Sequence, residues 1–152
     1  MSTDFSIFLD SDLTSPEYVF EPLLGVTGVD ARDGLHIRGL VAVSCKQLDA
    51  SYREVMREDY GEFGLDVNWK VSGTYDKETD IIEVMRVLFE CAALLVNANP
   101  DRSLSLMRNG ESFYIFNSKN RLILSPLYLE AIPTIKSLFK KPFIIEEMNY
   151  WE

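Results

Sequence analysis

Between Asp80 and Val96 almost every side chain is apolar, and the polar ones, Glu83, Arg86 and Glu90, fall at i, i+3 and i+7. On an α-helix this spacing makes one narrow stripe with internal ion pairing, so the rest of the circumference is predicted to be buried. Asp80, with Glu83 three residues on, reads as the cap that starts this helix, and Asn97, Asn99 and Pro100 stop it. A chain carrying such a helix has to build a core around it.

The segment that follows reads as a three-stranded meander at about 103–108, 111–117 and 121–125. Asn109-Gly110 suits a two-residue type I′ turn, because both turn positions need positive φ. That turn pairs Arg108 with Glu111, Leu106 with Phe113 and Leu104 with Ile115. A second turn over Asn117 to Asn120 sets Ile115 opposite Leu122 and Phe113 opposite Leu124. Both turns then place Leu104, Leu106, Phe113, Ile115, Leu122 and Leu124 on one buried face.

Ahead of the helix, Phe5, Ile7 and Leu9 alternate with polar residues as in a half-buried strand, and Ser15-Pro16-Glu17 looks like a short helix start. A strand is expected at about 35–45, with His36 on its polar side, and Leu48, Tyr52, Val55, Met56 and Tyr60 recur at helical spacing. Leu65, Val67, Trp69 and Val71 alternate strictly and predict another strand at 65–72. After Pro126, a helical pattern through Leu127, Leu129, Ile132, Ile135, Leu138 and Phe139 is broken by Pro133. The aromatic and acidic tail from Pro142 to Glu152 either packs back as a strand or meets a partner. With 152 residues, 47% of them apolar, one core is enough. The expected fold is therefore a single α+β domain, residues 1–152: an antiparallel sheet whose C-terminal-half β-meander packs against the central apolar helix.

Twenty-four acidic side chains against 15 basic ones give a formal charge of −9, which disfavours nucleic acid and anionic membranes and favours a basic partner. The imbalance is local: residues 1–34 hold seven acids against Arg32, whereas Lys119, Arg121, Lys136, Lys140 and Lys141 make residues 110–142 basic. The N-terminal residues lack the pattern of a signal peptide, and the longest apolar run, Cys91 to Val96, is too short to span a bilayer, so a cytoplasmic location is expected.

No catalytic or metal site is legible, and no cofactor is implied. His36 is the lone histidine, and no phosphate-binding glycine loop or nucleophile elbow occurs. Cys45 and Cys91 lie in segments read as buried, which fits reduced structural thiols better than a disulfide or a nucleophile. Asp76, Glu78, Asp80 and Glu83 contain carboxylates enough for a hard cation, yet Lys77 intervenes and EF-hand spacing is missing, so a solvated turn leading into a helix is the favoured reading. Two acidic, aromatic-bearing stretches remain as candidate partner-binding surfaces. One is Glu54, Glu58, Asp59, Tyr60 and Glu62, where Tyr60 also reads as a continuation of the apolar stripe. The other is the tail with Tyr150, Trp151 and Glu152.

Glu62-Phe63-Gly64 before an alternating strand, Asp76-Lys77, the apolar helix with Val84-Met85-Arg86-Val87-Leu88, Asn109-Gly110-Glu111 between strands and Leu122-Ile123-Leu124 together resemble the Sit-type immunity proteins, over about residues 62–125. The N-terminal strand and Ser-Pro-Glu helix start are similar too, whereas the tail after Leu127 departs from the family pattern. Members of that family are small cytoplasmic antidotes paired with polymorphic toxins. The resemblance implies a non-enzymatic inhibitor that binds a cognate toxin domain and blocks its active site or its access to substrate. Charge adds the expectation of a basic face on that toxin, as on a nuclease. The surface expected to meet it includes Glu58, Asp59, Tyr60 and Glu62, with Asp76 and Glu78 beside it if the strand at 65–72 joins the two turns, and with Tyr150 and Trp151 as the second site. Two rival classes are a small enzyme using Asp76, Glu78 or Asp80 with a divalent cation, and a structural or regulatory subunit of a homo-oligomer held by the aromatic tail.

Overall fold

The computed structural model describes the backbone of residues 2–12, 29–30, 36–37, 40–60, 66–76, 80–108 and 112–148, and the side chains of 4–12, 44–58, 66–74, 80–108 and 113–148. The helix start expected at Ser15 and the Asn109-Gly110 turn lie outside these residues.

The described elements are β1 (Ser2–Leu9), β2 (Val29–Asp30), β3 (His36–Ile37), β4 (Leu40–Gln47), α1 (Ala50–Tyr60), β5 (Trp69–Asp76), α2 (Ile81–Ala98), β6 (Leu104–Arg108), β7 (Ser112–Asn117), β8 (Leu122–Leu124), α3 (Ile135–Leu138) and β9 (Ile144–Ile145). Seven strands form one sheet in the order β4-β5-β1-β6-β7-β8-β9, while β2 and β3 pair separately. All neighbours in the large sheet are antiparallel except β8 and β9, which run parallel. The α+β class holds.

The helix α2 packs its dry side on the sheet. Val84, Met85, Val87, Leu88, Phe89, Cys91, Ala92, Ala93 and Val96 are buried. They share one core with Phe5, Ile7 and Leu9 of β1, Trp69 and Val71 of β5, and Leu104, Leu106, Ile115, Leu122 and Leu124. Asp80 caps the helix by accepting a hydrogen bond from the Ile82 N–H at 3.1 Å. Arg86 lies in the polar stripe between Glu83 (2.7 Å) and Glu90 (2.9 Å), both of which hold its pKa above the usual arginine value. At the other end Asn97 receives the Lys140 N–H and donates to the Leu138 carbonyl, which ties the C-terminal segment to α2. Leu129, Ile132, Ile135 and Phe139 of that segment complete this core. The expected broken helix shortens to α3 and turns, and Tyr128 there adopts φ 71°. Its hydroxyl accepts from Arg108 at 3.0 Å and its ring lies 5.8 Å from that of Tyr114, contacts that hold an unfavourable backbone conformation in place.

The meander has the expected strands in a different register. Leu106 pairs with Ile115, Leu104 with Asn117, and Ile115 with Leu124, a two-residue slip at both junctions. Because side chains alternate with period two, such a slip keeps each residue on its face. Five of the six predicted residues therefore still share the α2 side. Phe113 does not: the register shifts between Leu106 and Met107, Phe113 sits opposite Met107, and Tyr114 takes the α2 face. The slip has a cause in Asn117. Instead of opening the turn, it is a fully buried strand residue whose amide donates to the Pro100 and Arg102 carbonyls (3.0 and 2.8 Å) and accepts from Lys141 Nζ (2.9 Å). The turn moves outward, with Ser118 N–H donating to the Arg121 carbonyl.

The opposite sheet face carries a second, smaller core: Phe8, Leu48, Met56, Val67, Met107, Phe113, Phe116, Ile123 and Met148. Met56 is the anchor of α1, whose start is capped by Asp49, accepting from Tyr52 N–H at 2.8 Å. The strand expected at 65–72 begins only at Trp69. Asn68 uses both ends of its amide on the Ser11 backbone, and Val67 turns to the second core while Trp69 turns to the first. The tail packs back at least to Met148, through β9 and a hydrogen bond from Phe113 N–H to the Met148 carbonyl.

Two substitutions probe this arrangement. Phe113→Ala removes a fully buried ring and should cost about 3–5 kcal/mol in denaturant unfolding. Ser105 is buried on the second face, and its hydroxyl has no hydrogen-bond partner among the described residues. Ser105→Ala should therefore leave stability unchanged or raise it by about 1 kcal/mol in the same measurement.

Candidate partner-binding surface

Helix α1 crosses the second sheet face near the Trp69 end of β5, and its residue spacing divides it into four sides. Met56 points into the core. Arg53 and Arg57 lie on one flank and meet Asp66 at 3.7 and 3.1 Å. On the other flank Tyr52 stacks with Phe8 at 6.3 Å, yet it remains 37% exposed, and Val55 beside it is 51% exposed. The apolar stripe read from the sequence is thus only half used by the core. Glu54 and Glu58 occupy the crest, exposed and without an ion-pair partner among the described residues.

This places Glu58 of the predicted surface in solvent. Asp59 and Tyr60 close the helix as backbone, their side chains lying outside the described residues, as do Glu62, Glu78, Tyr150 and Trp151 altogether. Asp76 ends β5, seven residue steps from Trp69, or about 24 Å of extended chain. The strand therefore separates Asp76 from the α1 surface instead of bringing the two together.

Two other acids of the chain are already paired. Arg102 binds both Asp10 (3.6 Å) and Asp12, which raises its pKa, so two of the N-terminal carboxylates contribute little field. Beside the tail, Phe113, Tyr114, Ser125, Pro126, Leu127, Glu147 and Met148 line a cleft of about 430 Å³. Sequence reasoning missed this cleft, because it depends on the parallel return of β9 beside β8.

A feature on the α1 side was also not legible. Lys46 of β4 and Lys70 of β5 are direct cross-strand partners, adjacent to the pair Ser44 and Ser72, whose hydroxyls are 3.4 Å apart. The Lys70 ammonium stands over the rings of Phe8 and Tyr52, at 5.4 and 5.6 Å.

Among the described residues no group of three His, Cys, Asp or Glu side chains is placed to hold a metal ion, and no helix is long and apolar enough to cross a membrane. Both cysteines are free thiols. Burial pushes each up to about 12, from an ordinary 9.0. Comparison with protein-family models, with curated proteins and with solved structures gave no match.

The thiol shift fixes a sign. A raised folded pKa stabilises the protein below the unfolded value of 9.0, and that stability is lost as pH rises from there towards about 12. For the fully buried Cys91, alkylation at pH 8 should be at least about a hundredfold slower in the folded protein than in the denatured chain. Equal rates in the two states would refute the burial of this thiol.

Proposed function

We propose that this chain is an immunity protein, which binds a cognate antibacterial toxin domain in the cytoplasm and neutralises it by covering its active site or the path of its substrate. The observation that carries this reading is the division of charge on α1. Arginines 53 and 57 are spent on Asp66, whereas Glu54 and Glu58 stand exposed beside half-exposed Tyr52 and Val55. Carboxylates along one side of an apolar flank suit a partner that sets a basic patch on the crest of α1, and a surplus of negative charge there speeds the encounter. The resemblance of residues 62–125 to Sit-type immunity proteins supplies the kind of partner, and charge favours a nuclease among toxin activities. Asp59, Tyr60 and Glu62, the other residues expected at this surface, follow Glu58 in the sequence.

The partner to use is the toxin domain encoded by the adjacent reading frame, where an immunity gene is expected; a metabolic operon there counts against the proposal. Glu54→Lys with Glu58→Lys should leave the circular-dichroism spectrum and melting temperature unchanged while slowing association by about tenfold or more at low salt. The unmodified protein should itself bind more slowly as salt rises. An unchanged association rate in the folded double variant would sink this surface.

A further inference from the structure

The face of the sheet that carries α1 is stepped. The helix, about 10 Å thick, forms a ridge over β1, β6 and β7, anchored by Met56 against Phe8, Met107 and Phe116. Beside it β4 and β5 carry Ser44, Lys46, Lys70, Ser72 and Thr74 towards the same side, and no described element covers this ledge. Lys46 and Thr74 are exposed, and neither Lys46 nor Lys70 has an ion-pair partner among the described residues.

Two like charges directly opposite on neighbouring strands, with Cβ atoms about 5 Å apart, disfavour the isolated sheet. An anion placed on the ledge relieves that repulsion. Reading across the step, the order is cationic ledge (Lys46, Lys70), apolar flank (Tyr52, Val55), anionic crest (Glu58, Glu54). A two-fold axis near Val55 turns this order onto itself: the ridge of one molecule fills the ledge of the other, lysine meets glutamate twice, and the apolar flanks meet at the centre. Shape and charge are both self-complementary, which is what an isologous interface requires.

We infer that this face is a homodimer interface, with a second copy of the chain as its occupant. Ridge and ledge span about 16 by 20 Å, a small patch. The patch, roughly 320 Å² on each copy, is smaller than a standard interface, so the dimer is a transient one held chiefly by its charge pairs and is sought from micromolar concentration upward. The inference does not rest on the toxin reading, although Glu54 and Glu58 serve both, so a basic partner on the crest and a second copy exclude each other.

The test is sedimentation velocity on the full chain over a micromolar concentration series at low salt. Unmodified protein should move towards twice the chain mass as concentration rises. Lys46→Glu and Glu54→Lys, residues that the two-fold axis sets opposite each other and that are both exposed, should each remain folded by melting temperature and each weaken self-association by about tenfold or more, since symmetry counts the change twice. Mixed together, the two variants should regain the dimer, because in the mixed pair each altered residue faces its opposite charge. Val55→Asp, at the centre, should abolish self-association and should not be rescued by mixing with either. A chain that stays monomeric throughout the series overturns the inference. So does a dimer indifferent to all three substitutions, or a mixture of the two charge variants that does not re-associate.

Discussion

The burial of α2 against the sheet is the contact on which the remaining structure depends. Nine of its side chains are buried, while the half-buried Glu83–Arg86–Glu90 stripe and the exposed Ile82 and Leu94 reach solvent. A helix so apolar has to be enclosed on nearly all sides, and one sheet face covers only part of a cylinder. The C-terminal segment supplies the missing wall through Leu129, Ile132, Ile135 and Phe139. Because the chain must pass over α2 to provide it, it re-enters the sheet as β9 in the same direction as β8, the one parallel pairing in an otherwise antiparallel sheet. Asn97 and Asn117 fix that passage at its two polar crossing points, where carbonyls leaving the helix and strands would otherwise be buried unpaired.

Covering one face so thoroughly sets the terms for the other. Phe8, Met107, Phe113, Phe116 and Ile123 face away from α2 and still need shelter, which Met56 of α1 and Met148 of the tail provide. Their shelter ends at β1. Beyond it, β5 and β4 turn serine, threonine and lysine outward, so the sheet itself changes from apolar to polar along its width. The step beside α1 is the direct result of an 11-residue helix laid over a seven-stranded sheet.

What was legible in the sequence follows from which physical signals are local. The helix at 81–98, its cap and its ion-paired stripe are set by residues within a few turns of each other, and the strand limits of the meander came out within a residue or two. Register was not legible from the same signals. Alternation specifies which face a residue takes but not which partner it meets, so a slip of two was invisible until Asn117 was seen to be buried. The second core carried a signal that the alternation argument passed over: Phe113-Tyr114-Ile115-Phe116 is a continuous apolar run, the mark of a strand buried on both faces. At the candidate surface, the exposure of Glu58 follows from its place opposite Met56 on the helix. The neutralisation of Arg53 and Arg57 by Asp66, and the meeting of Lys46 with Lys70, join segments that only the tertiary fold brings together.

The net charge of −9 is therefore a poor guide to what a partner would feel. Asp10 and Asp12 face Arg102, Asp66 faces two arginines, and Glu83 and Glu90 share Arg86. At distances beyond a Debye length such pairs act as small dipoles, and the field that steers an approaching molecule comes from charges without a near counterion. Among the described residues of the α1 face these include Glu54 and Glu58 on the ridge and Lys46 and Lys70 on the ledge, opposite in sign and separated by about the thickness of a helix. A uniformly basic surface would be attracted by the first pair and repelled by the second. A molecule covering the whole face would therefore have to present both signs in the reverse order, whereas one confined to the crest would meet only the carboxylates, a distinction that the overall acidity of the chain does not convey.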